Sequence, residues 1–116
     1  MVVAISFATT LHLLKRYTNK CISGDLIALG PPFKSFGGKA FVASTQVPDG
    51  DSTGEPLRST LVLCEDEKRL GPARSLHTDI RDKGLGRYSH WGADVIFSTS
   101  DNSDPNTNHR HYAYVR

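Results

Sequence analysis

Gly84-Leu85-Gly86-Arg87-Tyr88-Ser89-His90-Trp91-Gly92 leads through Asp94-Val95-Ile96-Phe97 into Ser98-Thr99-Ser100-Asp101-Asn102-Ser103-Asp104-Pro105-Asn106-Thr107-Asn108. The middle piece is short, apolar and β-branched, which suits a pleated, half-buried surface. The flanking pieces are rich in Gly, Ser, Asp and Asn, whose backbone freedom and short polar side chains favour turns. A single strand from Asp94 to about Thr99, carrying a polar loop on each side, is therefore expected. One of those loops holds the only tryptophan.

Working outward, the same alternation of β-prone runs and turn signals recurs. Strands are expected over Asp25 to Leu29, Lys39 to Thr45 and Leu57 to Cys64, with a polar turn at Glu65-Asp66-Glu67-Lys68 and a return at Arg69-Leu70. Gly30-Pro31-Pro32 stops the first of them, because proline has no N–H to give a ladder. Arg110 to Arg116 alternates, with Tyr112 and Tyr114 on one face. One helix is expected from about Ser75 to Lys83: Ser75 as its cap, Leu76 and Ile80 on one face, Gly84 at its end. Asn19 to Gly24 reads as a turn. The N-terminal stretch Val2 to Leu14 is apolar, and β propensity favours a strand from Val2 to about Thr9. Short strands, long turn-rich loops and one minor helix predict a single-domain, mainly β chain of 116 residues: an antiparallel β-sandwich, jelly-roll-like.

Bulk chemistry narrows the function classes. A net charge of +2, without a basic stripe, gives no footprint for nucleic acid. No apolar run reaches the roughly 20 residues that span a bilayer. The apolar N-terminus has its positive charges after it and no small-residue cleavage site, unlike a secretory signal, so a cytoplasmic protein is expected. Two cysteines, Cys21 and Cys64, are too few for a disulfide framework. They read as small buried hydrophobes, or as one bridge in a secreted setting.

Candidate chemistry clusters in the two loops. Tyr88 and Trp91 offer flat apolar faces to a sugar ring, and Arg87, His90, Asp101, Asn102 and Asn106 offer donors and acceptors to its hydroxyls. The plainer reading of Trp91 is a core anchor. Oxygen side chains at Asp101, Asp104, Asn106 and Asn108 could ring a calcium ion, although the spacing is not that of an EF-hand; Asx-turns explain them as well. His109 and His111, with His90, form a thin transition-metal set whose plainer reading is solvated histidine. No serine sits in a nucleophile elbow, and no two of Asp82, Asp94, Asp101 and Asp104 are singled out as a carboxylate pair. No catalytic residue and no cofactor are assigned.

The string Asp79-Ile80-Arg81, then Gly84-x-Gly-Arg-Tyr-Ser-His-Trp-Gly92, then Phe97-Ser-Thr-Ser-Asp-Asn-Ser-Asp-Pro-Asn-Thr-Asn108 resembles a poorly described bacterial domain. That domain stands beside glycosyltransferase, methyltransferase and sulfotransferase modules of surface-polysaccharide metabolism. The resemblance runs from about Gly30 to Tyr112 and implies sugar recognition, with no catalytic residue. In those relatives a glycine follows the last asparagine of the loop; here His109 stands there. Histidine takes a positive φ less readily than glycine.

The expected function is non-catalytic glycan binding. The alternative is a homodimer or other homo-oligomer built on the apolar N-terminal segment, residues 1–25 being unmatched. A small glycan-active enzyme is the least favoured reading.

Overall fold

A computed structural model describes residues 19–116. The expected N-terminal strand and the apolar segment Val2 to Leu14 proposed as an interface lie outside the described residues. Among the described residues are two short helices, α1 (Lys20–Ser23) and α2 (His77–Asp82), and eight strands. The strands are β1 (Ile27–Leu29), β2 (Lys34–Ser35), β3 (Phe41–Ser44), β4 (Val62–Glu65), β5 (Lys68–Arg69), β6 (Tyr88–Trp91), β7 (Asp94–Phe97) and β8 (Tyr112–Val115). They pair antiparallel into two four-stranded sheets, β1-β8-β4-β5 and β2-β3-β7-β6. The chain is mainly β, and its layered architecture is a sandwich. Eight strands in two sheets is the strand count of a jelly roll.

Alternation along the strands fills the space between the sheets. Leu29, Leu63, Tyr112 and Tyr114 from the first sheet meet Tyr88, Val95 and Phe97 from the second. Phe33, between β1 and β2, sets its ring edge-on to Phe97 at 5.4 Å and to Tyr112 at 5.7 Å. Such aromatic pairs add to simple area burial.

Each sheet also covers part of its outer face with a helix. Asn19 caps α1 by accepting the Cys21 N–H at 3.0 Å. Cys21 is disulfide-bonded to Cys64 on β4, and the pair packs with Val62 and Val115. On the other sheet, Ile80 of α2 packs on Ala40 and Ile96. Both helices are far too short to persist alone, so packing and covalent attachment hold them.

Several expectations change. Lys20–Ser23 is a helical turn rather than a plain turn. The expected Leu57 to Cys64 strand begins only at Val62, because the chain before it is held by side chains, as described below. The expected Ser75 cap is not made: the Ser75 hydroxyl donates to Pro72 O at 2.7 Å, and Leu76 stands at the cap position without a side-chain bond. Leu76 therefore does not share the buried face of Ile80; it is exposed. The largest change is at Tyr88–Trp91. These residues are a strand paired to β7 through a two-residue turn, so the first of the two expected loops is largely a sheet edge.

Candidate functional site

Strand β6 divides the aromatic residues that the sequence grouped together. In its register Tyr88 and His90 lie opposite Phe97 and Val95 and point between the sheets, while Ser89 and Trp91 lie opposite Ile96 and Asp94 and point outward. The Tyr88 hydroxyl donates to Leu61 O at 3.1 Å, and burial pushes its phenol above the ordinary value. His90 has both ring nitrogens engaged, Nδ1 with Ser59 Oγ at 2.7 Å and Nε2 with Val47 O at 3.2 Å. A carbonyl only accepts, so Nε2 carries the proton and Nδ1 accepts from Ser59. Tyr88 and Trp91 thus form no common stacking platform. Trp91 alone reaches solvent, at 42% exposure.

The second loop uses its polar side chains on the fold itself. Asp101 takes two N–H groups of Arg110, each at 2.9 Å; this pairing first, and Ser103 second, holds its carboxyl well below the usual range. Asn102 accepts the Leu85 N–H at 2.7 Å, tying the loop to the end of α2. Asn106 pairs with the Phe33 backbone, accepting its N–H at 2.6 Å and donating to its C=O at 3.0 Å. Asp104 accepts the Asn106 N–H, and Asn108 donates to Tyr112 Oη and Ser103 Oγ. Arg87 donates to Gly84 O at 3.0 Å. Glu65, buried, accepts from Ser100 and from Tyr112 Oη at 2.8 Å. Each residue proposed for calcium thus has at least one oxygen engaged within the fold, Asn108 Oδ1 by the Arg110 N–H at 3.0 Å, in Asx-turns and cross-chain braces. No group of three or more His, Cys, Asp or Glu among the described residues is arranged to hold a metal ion.

What the fold does assemble is a cleft on the outer face of the second sheet, about 440 Å³ in volume. Its walls come from three separated segments: Asp51 and Pro56, then Arg74 to Thr78, then Ser89 and Trp91. Gly50 makes the arrangement possible. Its N–H bonds Gly92 O, and a side chain there would lie 2.4 Å from that oxygen. The next residue, Asp51, bridges to Trp91 in parallel.

The cleft floor is an ion pair. Asp51, buried, accepts the Ser59 N–H at 2.7 Å and meets Arg74 Nε at 3.2 Å. Arg74 also donates to the Ser59 and Leu57 carbonyls. These bonds replace the ladder that the sequence led one to expect over this stretch. One wall is aromatic: His77, at the start of α2, meets Trp91 edge to face at 5.9 Å. Burial first, and Arg81 second, lowers the His77 pKa below its ordinary 6.5, so the ring is neutral at pH 7.

Against these stand polar groups without partners. Ser89 is only 3% exposed, yet its hydroxyl makes no hydrogen bond among the described residues, and it lines the cleft. The side chains of His77 and Thr78 likewise make none. A flat apolar face beside unpaired donors and acceptors is what a ligand of mixed polarity requires.

No protein-family model, no curated protein and no solved structure matches this chain. The site therefore rests on its geometry.

The nearest approach to a nucleophile and base is Ser59 with His90. It lies against a cavity of about 10 Å³, at the lower limit for one water, so no substrate reaches the hydroxyl in this structure. Sequence reasoning singled out Trp91 and passed over Arg74, His77 and Thr78. No short motif joins them, and only the fold brings them together.

Proposed function

We propose that this domain binds carbohydrate without catalysis, and that the sugar lies against Trp91 in the cleft rather than across the polar loops. The observation that carries this reading is the pairing of a half-exposed Trp91 with the unpartnered, nearly buried hydroxyl of Ser89 on the same face of β6. A sugar ring has one apolar face for the indole and hydroxyls for Ser89, Thr78 and His77. Because Trp91 is the only tryptophan, its fluorescence reports the site directly. Titration with a panel of oligosaccharides should shift that emission saturably, with calorimetry giving the same constant. A flat response across the panel, with no heat, overturns the proposal.

A second reading has its own support. Ile22, Leu26 and Ile27 are exposed within one six-residue stretch, and among the described residues β1 is an edge strand. Unpaired apolar edges favour strand addition. On this reading two copies associate along that edge, and sedimentation velocity should show a dimer that Ile27→Lys abolishes.

No helix among the described residues is long and apolar enough to cross a membrane. The Cys21–Cys64 disulfide supports residence in an oxidising compartment rather than in the cytoplasm expected from the sequence.

A further inference from the structure

We propose that the site continues past His77 to a second stacking position at Phe36, where Arg81 receives the carboxylate or sulfate of an acidic oligosaccharide. This rests on the carbohydrate reading above and names the class of sugar.

Three rings form one ledge. Phe36 and Trp91 each meet the His77 ring at 5.9 Å, at interplanar angles of 85° and 84°. Both are more than a third exposed. Such a ledge is longer than one sugar, so an oligosaccharide, not a monosaccharide, covers it.

The charge at its far end is built in. Arg81 lies four residues after His77 on α2, hence on the same face. Its stem passes over Gly37, where φ is 91° and a Cβ would sit 3.0 Å from Arg81 Cδ. The Arg81 carbonyl is held by the Lys39 N–H at 2.9 Å. The guanidinium carbon stands 5.7 Å from the centre of the Phe36 ring. No carboxylate among the described residues forms an ion pair with it: Asp79, on the same helix, goes to Lys83, and Asp51 goes to Arg74. Arg81 is thus a stacked, oriented cation with an open anion position. Its planar fork matches a carboxylate or a sulfate in two parallel bonds.

The test compares charged and neutral ligands on the intact protein at low salt. The probes are hexagalacturonate, a heparin-derived hexasaccharide, methyl-esterified hexagalacturonate and maltohexaose, each followed by Trp91 emission and calorimetry. The expected result is about tenfold tighter binding of at least one acidic probe than of the neutral ones, as one charge-assisted contact provides. Hexagalacturonate carries carboxylates alone and heparin carries both groups, so tight hexagalacturonate binding shows that a carboxylate suffices, and tight heparin binding without it points to sulfate. Arg81→Gln should erase that preference. Lys68→Gln, which removes the same charge from β5 in the other sheet, should keep it. Equal binding of acidic and neutral probes, or a preference that survives Arg81→Gln, overturns the acidic-sugar proposal while leaving Trp91 as a sugar platform. Binding of none of the four overturns the acidic-sugar proposal together with the carbohydrate reading it rests on. Unchanged thermal midpoints confirm that the variants fold.

Discussion

His77 and Trp91 meet edge to face with ring centres 5.9 Å apart, joining the start of α2 to the end of β6. The contact closes one wall of the cleft, and it ties a helix too short to stand alone to a sheet edge.

Trp91→Ala and Ser89→Ala should separate stability from binding. Trp91 is half-exposed, so its loss should cost about 1 kcal/mol, mainly the aromatic pair. Ser89 has no internal hydrogen bond to lose, so Ser89→Ala should leave the urea midpoint unchanged or raise it. Both should weaken the oligosaccharide affinity, Ser89→Ala by about one hydrogen bond, ~1 kcal/mol. A marked loss of stability in Ser89→Ala would mean that its hydroxyl is structural.

His77 makes the fold sensitive to mild acid. Its folded pKa is below 6.5, because burial and then Arg81 disfavour the cation. The unfolded chain therefore binds the proton more readily, and stability rises with pH across that window. The contribution of neutral His77 is complete above 6.5 and is lost as pH falls from there toward the folded value. Thermal midpoints measured from pH 7.5 to 5 should fall more steeply for the wild type than for His77→Asn. Parallel curves would remove His77 as the cause.

Much of the sandwich is readable from local pattern, and the site is not. Tyr112 and Tyr114 alternate cleanly because one face of β8 meets the core, and the Glu65 to Lys68 turn declares its hairpin. Strand β6 hides itself. Ser89 and His90 are polar, and glycines flank the segment, so the composition is that of a loop; both are nonetheless buried, His90 by bonds to Ser59 and Val47. The Asp101 to Asn108 loop misleads for the same reason. Its side chains look free for a ligand, and the partners that most constrain the loop are remote: Asn102 answers Leu85 across 17 positions and Asn106 answers Phe33 across 73. The cleft draws on residues near 51, 75 and 90, and only the fold brings these together.

His109 occupies a left-handed backbone position, with φ at 60°, and its side chain is exposed. A left-handed conformation costs a non-glycine residue about 1–2 kcal/mol, partly offset by the greater freedom of glycine in the unfolded chain. His109→Gly should therefore stabilise the protein by about 0.5–1 kcal/mol in urea unfolding. Destabilisation would show that the imidazole has a bonding role.

Asn106 acts as a single rung of ladder for Phe33, which stands just before β2 begins. Asn106→Ala leaves the Phe33 N–H and C=O without their partners and should cost about 2 kcal/mol. Asn106→Asp keeps the acceptor but sets a carboxylate against the Phe33 carbonyl, so it should not rescue. Calcium offers a check: if these oxygens held an ion, added calcium would raise the thermal midpoint of the wild type. The occupied hydrogen bonds lead us to expect no shift.

The Cys21–Cys64 bond should be detectable chemically and energetically. It links α1 to β4 across 43 positions, and both cysteines are buried. Closing a loop of that length restricts the unfolded chain by about 4 kcal/mol in the entropic account. Denatured protein should show no thiol reactive to Ellman's reagent before reduction, and two after it, matching the two cysteines in the chain. The double variant Cys21→Ser, Cys64→Ser should lose stability on that scale and release α1 from the outer face of the first sheet. The cleft lies on the outer face of the second sheet, with the aromatic core between them. Below its melting point the double variant should therefore bind oligosaccharide with wild-type affinity, as Trp91 emission would show. Free thiols in unreduced protein would remove the disulfide, and with it the argument for an oxidising compartment.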